Sequence, residues 1–300
     1  MDWKALLPGA YLALFLGAMF GFAWWRRKQH KRRAPFKRET RVLRQPGESL
    51  RRRIAKMDED FLASLCLASL VPLTVMWLGL RMALMLPPGS AWIAVIGSLV
   101  LFAGIFALAA RWGAAKLLRR CDHELGLYGE RVVGDALAVL ERHGWRIFHD
   151  FPREARGKKF NIDHIAVGPG GVFAIETKSP RKGDARPGTE DHVVIYNGEM
   201  LSWPWGDDRL GIDQAIENAN WLGTWLTDRT LLKLRVEAVL TFPDWFVREQ
   251  RAGPVRVLNS TLLPRVLAAR TSVLGAEQVA LIAAQIEGIC RDVDYVTDGA

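Results

Sequence analysis

Hydrophobic and polar positions divide the chain into an apolar N-terminal part, 1–110, and a mixed C-terminal part, 111–300. The first part contains three uncharged runs, at 5–25, 61–80 and 91–110. Each run has about the 20 residues that a helix needs to cross the hydrocarbon core of a bilayer. The pattern therefore predicts a membrane anchor of about three transmembrane helices. An alternative is that the second and third runs only dip into the membrane.

Positive charge is concentrated next to the first run. The segment 26–60 carries 14 Lys and Arg residues, whereas the loop 81–90 carries one. Because basic loops stay in the cytoplasm, we expect the N-terminus outside and the C-terminal part inside. The basic segment is also expected to contact anionic lipid. The C-terminal part has 25 Lys and Arg against 26 Asp and Glu, so overall basicity is no argument for nucleic-acid binding.

The composition argues against two other classes of protein. The three apolar runs contain no ionisable Asp, Glu, Lys or Arg, which favours an anchor over a transporter. The three cysteines, Cys66, Cys121 and Cys290, have no metal-ligand spacing and form no even disulfide set. They suit a reducing compartment and indicate no thiol chemistry.

The C-terminal part alternates between helical and strand patterns, which predicts an α/β fold. A helix is predicted over 122–143, with Asp122 capping its start and Gly144 ending it. Residues 160–178 are predicted to form a β-hairpin. The other predicted elements are a strand at 145–150, an exposed basic loop at 153–159, a second hairpin at 192–203 with an Asn197-Gly198 turn, a helix at 210–227, strands at 236–242 and 255–258, and short helices near 260–270 and 275–290.

Two acids and a lysine meet on one face of the first hairpin. Side chains two apart on a strand share a face, so Glu176 and Lys178 point the same way. A Pro169-Gly170 turn would place Asp163 opposite Glu176, and a Gly170-Gly171 turn would place it opposite Lys178. Either register gathers the three groups, whereas a three-residue loop without a bulge would separate them.

Such a cluster predicts a metal site. Neighbouring carboxylates repel each other unless a cation lies between them, and oxygen ligands with open positions suit Mg²⁺ or Mn²⁺. The metal would polarise a phosphate and activate water, and Lys178 would orient that water or stabilise developing charge. Glu130 is predicted on the core-facing side of the first helix, where a third metal ligand would explain a carboxylate. Gln214, near the start of the later helix, is placed to contact a phosphate or the lysine.

Three ordered motifs carry a resemblance to a known family. They are Gly126-Leu127-Tyr128-Gly129-Glu130, Ile162-Asp163-His164-Ile165 and Gly171-Val172-Phe173-Ala174-Ile175-Glu176-Thr177-Lys178. Together they resemble the NERD (nuclease-related) domain, within the PD-(D/E)xK group, over roughly residues 122–230. Ile162 stands where that group has proline, and the stretch around Gln214 is less typical than the other motifs.

The resemblance implies a restriction-endonuclease-like mixed sheet flanked by helices. It implies a catalytic set of Asp163, Glu176, Lys178, Glu130 and Gln214, with Asp163, Glu176 and Glu130 as ligands of Mg²⁺ or Mn²⁺. The implied activity is metal-dependent cleavage of DNA, with RNA as a possible substrate. The implied location is a bacterial inner membrane, with the nuclease domain in the cytoplasm.

Simpler explanations exist for several of these residues. Asp163 and Lys178 alone would make a cross-strand ion pair with Glu176 solvated. Glu130 could act as a capping residue, or its side chain could pair with that of Arg131 or His164. His164 points to the face opposite Asp163, and we interpret it as structural.

Basic and aromatic residues offer weaker evidence for nucleic acid. The basic residues of the predicted loop could contact a phosphate backbone, although a solvated loop explains them equally well. They are Arg153, Arg156, Lys158 and Lys159. Tryptophans at 203, 205, 221, 225 and 245 could stack on bases, but packing in the core and at its edge is the preferred interpretation.

The sequence thus favours a membrane-tethered, divalent-metal-dependent nuclease acting on DNA. The first alternative is a catalytically inactive module that binds nucleic acid or a protein at the membrane. The second is a sensor or scaffold in which the basic segment 26–60 binds anionic lipid.

Overall fold

The computed structural model describes residues 14, 17–18, 20–22, 24–25, 41–155 and 157–294, without the side chains of 62, 63, 65–69, 88, 155, 158 and 294. The chain forms two compact units. One consists of Met1–Leu43 and Arg291–Ala300, and the other is Arg44–Cys290. All candidate site residues belong to the second unit.

Two long helices form a hairpin at the start of the second unit. Helix α1 (Glu48–Met85) and helix α2 (Pro88–Ala138) pack against each other. Pro88 suits the first turn of α2 because its missing N–H would be unpaired there anyway. The helices are in close contact at Gly79, where an added Cβ would lie 2.1 Å from Ser98 Cβ. Glycine is therefore required at this crossing.

α2 provides a candidate membrane span. With its following turn it forms the Gly89–His143 helix, whose most apolar window has a mean hydropathy of 2.6. α1 contains a shorter apolar stretch, Leu70–Met85, below the about 20 residues that a span needs. The predicted run 5–25 lies largely outside the described residues. The prediction of three transmembrane helices is therefore not confirmed, because the described part of the chain has one helix that meets the criterion.

The predicted helix start at Asp122 is wrong. α2 continues without a break through this residue, and a 3-10 turn, Val139–His143, extends it to Gly144. The stretch 111–121 has no proline and is rich in Ala, Leu, Lys and Arg, so helix propensity joins the two apolar parts. The predicted end is confirmed, since Gly144 has φ 79°, a left-handed conformation typical of a residue that ends a helix.

The remaining elements are strands and helices. In chain order they are β1 (Arg41–Val42), β2 (Arg146–Ala155), β3 (Lys158–Gly168), β4 (Gly171–Thr177), β5 (Val193–Tyr196), β6 (Leu201–Trp203), β7 (Gly206–Asp208), α3 (Leu210–Thr230), β8 (Val236–Phe242), β9 (Phe246–Glu249), β10 (Arg256–Asn259), α4 (Leu263–Ala268), α5 (Ala276–Cys290) and β11 (Val293–Asp294). Strands β1 and β11 pair antiparallel within the first unit.

The rest of the second unit contains two mixed sheets and three further helices, which confirms the predicted α/β class. The central sheet has the order β10-β8-β4-β3-β2, in which β4, β8 and β10 run parallel while β2 and β3 run antiparallel to their neighbours. The smaller sheet has the order β7-β6-β5-β9. The parallel strands carry continuous buried apolar runs, as expected for strands covered on both faces.

Helices cover the two faces of the central sheet. α2 and α4 contribute Val133, Leu137 and Leu263 to a buried cluster that includes Ile175 of β4. On the other face, α3 packs against β4 and β8. Because successive side chains of a strand point to opposite faces, Glu176 faces α3 rather than this cluster. The alternation along β4 thus places the side chain of Glu176 between the sheet and α3.

The second hairpin forms, but its predicted turn is shifted by one residue. Tyr196 pairs with Leu201, so Gly198 and Glu199 are the central residues of the turn. Asn197 Oδ1 accepts hydrogen bonds from the backbone N–H of Glu199 and of the next residue. Gly198 has φ 94°, which suits the first central position of a type II′ turn.

Candidate functional site

The β3–β4 hairpin gathers the predicted cluster. His164 pairs with Ile175, so the turn between the strands is Pro169-Gly170. This register, continued by one residue, places Asp163 opposite Glu176. The first of the two predicted registers is therefore confirmed.

Lys178 lies at the centre of the hydrogen bonds in this cluster. Its Nζ donates to Glu176 Oε1 at 2.8 Å and to Gln214 Oε1 at 2.9 Å. The second carboxylate oxygen of Glu176 accepts a hydrogen bond from Asn218 Nδ2 at 2.8 Å. Glu176 is buried and is the ion-pair partner of the lysine, so the simple Asp163–Lys178 pair with a solvated Glu176 is wrong.

Glu130 brings a third carboxyl from α2. The residue is buried, as the helical pattern predicts, and it accepts a hydrogen bond from the backbone of Gly47. Its Oε2 is buried without a hydrogen-bond partner among the described residues. A buried polar atom without a partner is costly, and a cation would relieve that cost.

Asp163 is held at the end of the neighbouring strand. Its Oδ2 accepts a hydrogen bond from the backbone N–H of Thr177 at 2.7 Å. Because Thr177 is the last residue of β4, this bond fixes the Asp163 carboxyl next to the point where Lys178 leaves the sheet. The cluster therefore depends on the strand end as well as on the side chains.

Burial and mutual repulsion favour the protonated form of these acids. Burial, then the charges of Asp150 and Glu176, raise the pKa of Glu130 to about 8. Burial, then Glu176 and Glu130, raise the pKa of Asp163 well above its ordinary value. Burial also raises the pKa of Glu176, against the opposing effect of Lys178. Burial alone would lower the pKa of Lys178, but the surrounding carboxyls raise it, so the lysine is charged.

Asn218 belongs to this site although the sequence analysis missed it. The residue is 1% exposed and lies one helical turn after Gln214 on α3. A signal was present, because Asn218 occupies a polar position inside the apolar stripe of that helix, between Ala215 and Leu222. A buried amide in such a stripe needs a partner, and Glu176 provides it.

The predicted basic loop at 153–159 is wrong. β2 extends through Arg153, and β3 begins at Lys158, so the two strands form a long hairpin with a short connection. The polar residues suggested a loop because one face of this hairpin is solvated. Lys159 is exposed near the start of β3. Arg156 and the side chain of Lys158 lie outside the described residues.

Arg153 is a buried cation rather than a solvated one. Its guanidinium lies 4.8 Å from the ring centroid of Phe160, and its Nη1 lies 3.4 Å from Glu217 Oε1. Its charge also acts to lower the pKa of Glu176. The structure thus places Arg153 within electrostatic reach of the cluster instead of on an exposed loop.

His164 lies on the opposite face of β3, as its position next to Asp163 predicts. It is fully buried, and its Nδ1 lies 2.8 Å from Nδ1 of His149. Burial, then the neighbouring ring, lower the pKa of His164. The pair is therefore neutral near neutral pH, with one ring donating to the other.

The donor chemistry of the cluster fits a hard divalent cation, but its hydrogen bonds occupy several of the donors. Carboxylate oxygens are the usual ligands of Mg²⁺ and Mn²⁺, and the unpartnered Glu130 Oε2 is such an oxygen. Both oxygens of Glu176 accept hydrogen bonds from side chains, and Asp163 Oδ2 accepts one from the backbone. As the described side chains lie, no group of three or more His, Cys, Asp or Glu residues could hold a metal ion. The predicted ligand set stays a prediction.

Comparison with known proteins supports the resemblance drawn from the motifs. A family model described as "NERD: Nuclease-related domain" matches residues 125–243. The match covers Glu130, Asp163, Glu176, Lys178 and Gln214. No curated protein and no solved structure matches the chain. Over the segment that builds the site, the chain is therefore similar to the nuclease-related domain.

Proposed function

We propose that this protein is a membrane-tethered, divalent-metal-dependent nuclease that hydrolyses phosphodiester bonds of DNA. The observation that carries the proposal is the meeting of three acids with a charged lysine at one sheet end, within the segment similar to a nuclease-related domain. Carboxyls that raise each other's pKa weaken the folded state, and perturbed groups of this kind cluster at functional sites.

Asp163, Glu176 and Glu130 are the residues that would hold Mg²⁺ or Mn²⁺. When bound, the ion supplies a Lewis acid for a phosphate oxygen and lowers the pKa of a water molecule. Because the pKa of Glu130 is about 8, this carboxyl loses its proton near neutral pH once a positive charge is close by.

Lys178 and Gln214 position and stabilise charge in this proposal. The lysine side chain is 35% exposed, so it reaches solvent while its Nζ stays bonded to Glu176 and Gln214. A fixed ammonium beside the scissile group favours the negative charge that develops during phosphodiester cleavage. Gln214 and Asn218 hold Lys178 and Glu176 in place from the same helix.

The tether is proposed to be the hairpin formed by the apolar parts of α1 and α2, with the domain on the cytoplasmic side of a bacterial inner membrane. Supporting this is the apolar window in Gly89–His143, of which 6% is buried inside the protein. The basic segment 26–60 would contact anionic lipid headgroups on the same side. Vesicle flotation of the full chain with neutral and with anionic lipid tests both points, and equal recovery without lipid would contradict them.

The first experiment is calorimetry with Mn²⁺ on the purified full chain and on Asp163→Asn, followed by cleavage of DNA by both. We expect the wild type to bind Mn²⁺ and cut DNA, and Asp163→Asn to lose binding and at least about a thousand-fold of the cleavage rate, since a metal contributes several kcal/mol to such a step. Asp228→Asn, an exposed change on α3, is the matched control. A wild type that cuts nothing with either metal would refute the nuclease.

A specific observation favours a second function, a nucleic-acid-binding module without catalysis. Glu176 and Lys178 satisfy each other in the structure, and no three-ligand group exists among the described side chains. Such a module would bind DNA in a salt-dependent way, would not cut it, and would lose little on Lys178→Ala. Cleavage that Lys178→Ala abolishes would exclude this alternative.

A further inference from the structure

A cleft of about 340 Å³ opens beside the candidate active site. Lys178 forms part of its wall, and Trp203, Trp205 and Leu210 contribute apolar surface. Its volume is within the roughly 300–1,000 Å³ of pockets that hold small organic groups. Any group in this cleft would lie beside Lys178, the residue that we place at the scissile phosphate.

An aromatic cluster at the smaller sheet lines this cleft with two rings, those of Trp203 and Trp205. Trp203 and Trp245 are 5% and 3% exposed, whereas Trp205 is 37% exposed. The rings of Trp203 and Trp205 stack with centroids 5.5 Å apart and an interplanar angle of 6°. Trp245 meets Trp205 edge-on at 5.5 Å. Trp205 is thus supported by buried rings while part of its own surface is open.

Hydrogen bonds and packing keep the supporting ring in place. Trp203 Nε1 donates to Asp208 Oδ2 at 2.7 Å, and the ring packs edge-on against Phe242 at 4.9 Å. The aromatic side chains are therefore already ordered by folding, so that binding a ligand costs little further conformational entropy. This separates Trp205 from an ordinary exposed side chain.

We propose that this cleft binds an unpaired nucleobase of the DNA strand, stacked on Trp205, next to the phosphodiester at Lys178. The occupant rests on the proposed function, because it is part of the substrate strand. An aromatic face recognises any base by stacking, and a lysine in the wall of the cleft suits the attached phosphate. A base inside a duplex has both faces stacked already, so the cleft selects a single-stranded or frayed end.

The two half-buried tryptophans of α3 do not offer this combination. Trp221 and Trp225 stack on each other and pack against Phe151, along α3. Trp225 is eleven residues after Gln214 on this helix, which is about 16 Å along its axis. Trp225 is therefore a matched control, an aromatic residue of the same domain far from Lys178.

Gly183 offers a way to cover the Trp205 ring without removing the tryptophan. A Cβ added at Gly183 would lie 3.3 Å from Cε3 of Trp205, so a larger side chain there would pack on the ring. The residue lies in an exposed loop, where a substitution leaves the core untouched. Gly183→Leu is expected to cover Trp205 while the aromatic cluster stays intact.

The test measures binding in EDTA, so that no strand is cut. The full chain in neutral lipid nanodiscs is titrated with a labelled single-stranded oligodeoxynucleotide, and with an oligomer of equal length and charge in which abasic residues replace the bases. We expect the wild type to prefer the base-bearing strand by about 5- to 100-fold. Trp205→Leu and Gly183→Leu should lose this preference, Trp205→Phe should keep most of it, and Trp225→Leu should retain it.

Equal affinity of the wild type for both strands, or binding of neither, would overturn the proposal. So would a preference that survives both Trp205→Leu and Gly183→Leu, or one that Trp225→Leu abolishes as well. Thermal unfolding of each variant separates loss of the cleft from loss of the fold. A chain that prefers the base-bearing strand but never cuts DNA would refute the proposed nuclease activity and support base binding in the cleft. A chain that cuts DNA but shows no preference for the base-bearing strand would support the nuclease activity and refute base binding in the cleft.

Discussion

Two acids on neighbouring strands, Asp150 of β2 and Asp163 of β3, have opposite surroundings. Asp150 is 1% exposed and well supplied with donors. Its carboxylate accepts hydrogen bonds from Arg44 Nη1 at 2.8 Å, from Asn161 Nδ2 at 3.0 Å and from the backbone and hydroxyl of Ser49. Asp163 accepts a backbone hydrogen bond and faces the carboxyls of the candidate site.

The difference separates a buried acid with donors for both of its oxygens from acids that face one another. Burial raises the pKa of Asp150 as well, against the opposing effect of Ser49 and Arg44. The partners of Asp150 come from the segment around the start of α1, so this carboxylate ties that segment to the sheet. The acids around Asp163 repel each other, and such strain persists where function requires it. Sequence proximity does not distinguish the two aspartates, but their partners do.

The largest effect is expected from removing the Asp150 carboxylate, and this change tests the comparison with Asp163 most strongly. Asp150→Ala would remove the buried carboxylate that accepts hydrogen bonds from Arg44, Ser49 and Asn161. Breaking a buried ion pair from one side costs about 3–5 kcal/mol, so we expect the free energy of unfolding to fall by that amount. Urea unfolding of the full chain in detergent, followed by circular dichroism, measures the loss. Glu287→Ala, in a more exposed pair with Arg146, should change it by less than about 1 kcal/mol.

The second prediction concerns the pH dependence that Glu130 imposes. Its pKa is 4.5 in an ordinary environment and about 8 in the folded protein, so the folded state binds more protons between these values. Stability should therefore fall as pH rises through this window, by on the order of 1–3 kcal/mol. Glu130→Gln should flatten this part of the profile in urea unfolding at about pH 5 and about pH 8.5. An unchanged slope would show that another group is responsible.

The third prediction is that a site acid can be removed with a gain in stability. Asp163→Asn keeps an oxygen for the N–H of Thr177 and removes one of the mutually repelling carboxyls from the cluster. We expect the variant to be about 0.5–2 kcal/mol more stable at about pH 8, while Mn²⁺ binding is lost. A destabilisation as large as that of Asp150→Ala would remove the distinction between the two aspartates.

The smallest effect is expected from the histidine pair behind the site. Burial lowers the pKa of His149 from 6.5 to about 4, so the unfolded chain binds more protons between these values. Stability should therefore fall as pH decreases below 6.5, by about 1 kcal/mol at about pH 5.5. This slope is opposite in sign to that of Glu130. His149→Gln should reduce the acid limb and leave the alkaline limb unchanged in the same unfolding series.

The sequence predicts those parts of the site that follow from local periodicity. Alternation along β3 and β4 places Asp163 and Glu176 on one face, and the turn residues leave two registers, of which the structure has one. The helical period places Glu130 toward the core. These features depend on neighbours that are close in sequence.

The remaining features depend on contacts between distant segments. The role of Asp150 comes from Arg44 and Ser49, about a hundred residues earlier, and no local pattern indicates that pairing. The buried state of Arg153 depends on Phe160 and Glu217. The aromatic cluster requires β6 to meet the segment around Trp245, which the sequence spacing does not show.

An unbroken helix has a rotational phase as well as a length. In the proposed membrane arrangement, α2 carries the chain from Ala110, at the end of the apolar run, to Glu130. These twenty residues rise about 30 Å, and each turns the helix by about 100°. Inserting one residue would rotate the domain by about 100° around the helix axis. Inserting seven residues would move it about 10 Å along the axis and leave its orientation nearly unchanged. The length of this helix would therefore set both the distance of the site from the membrane and the direction in which the site faces around the helix axis.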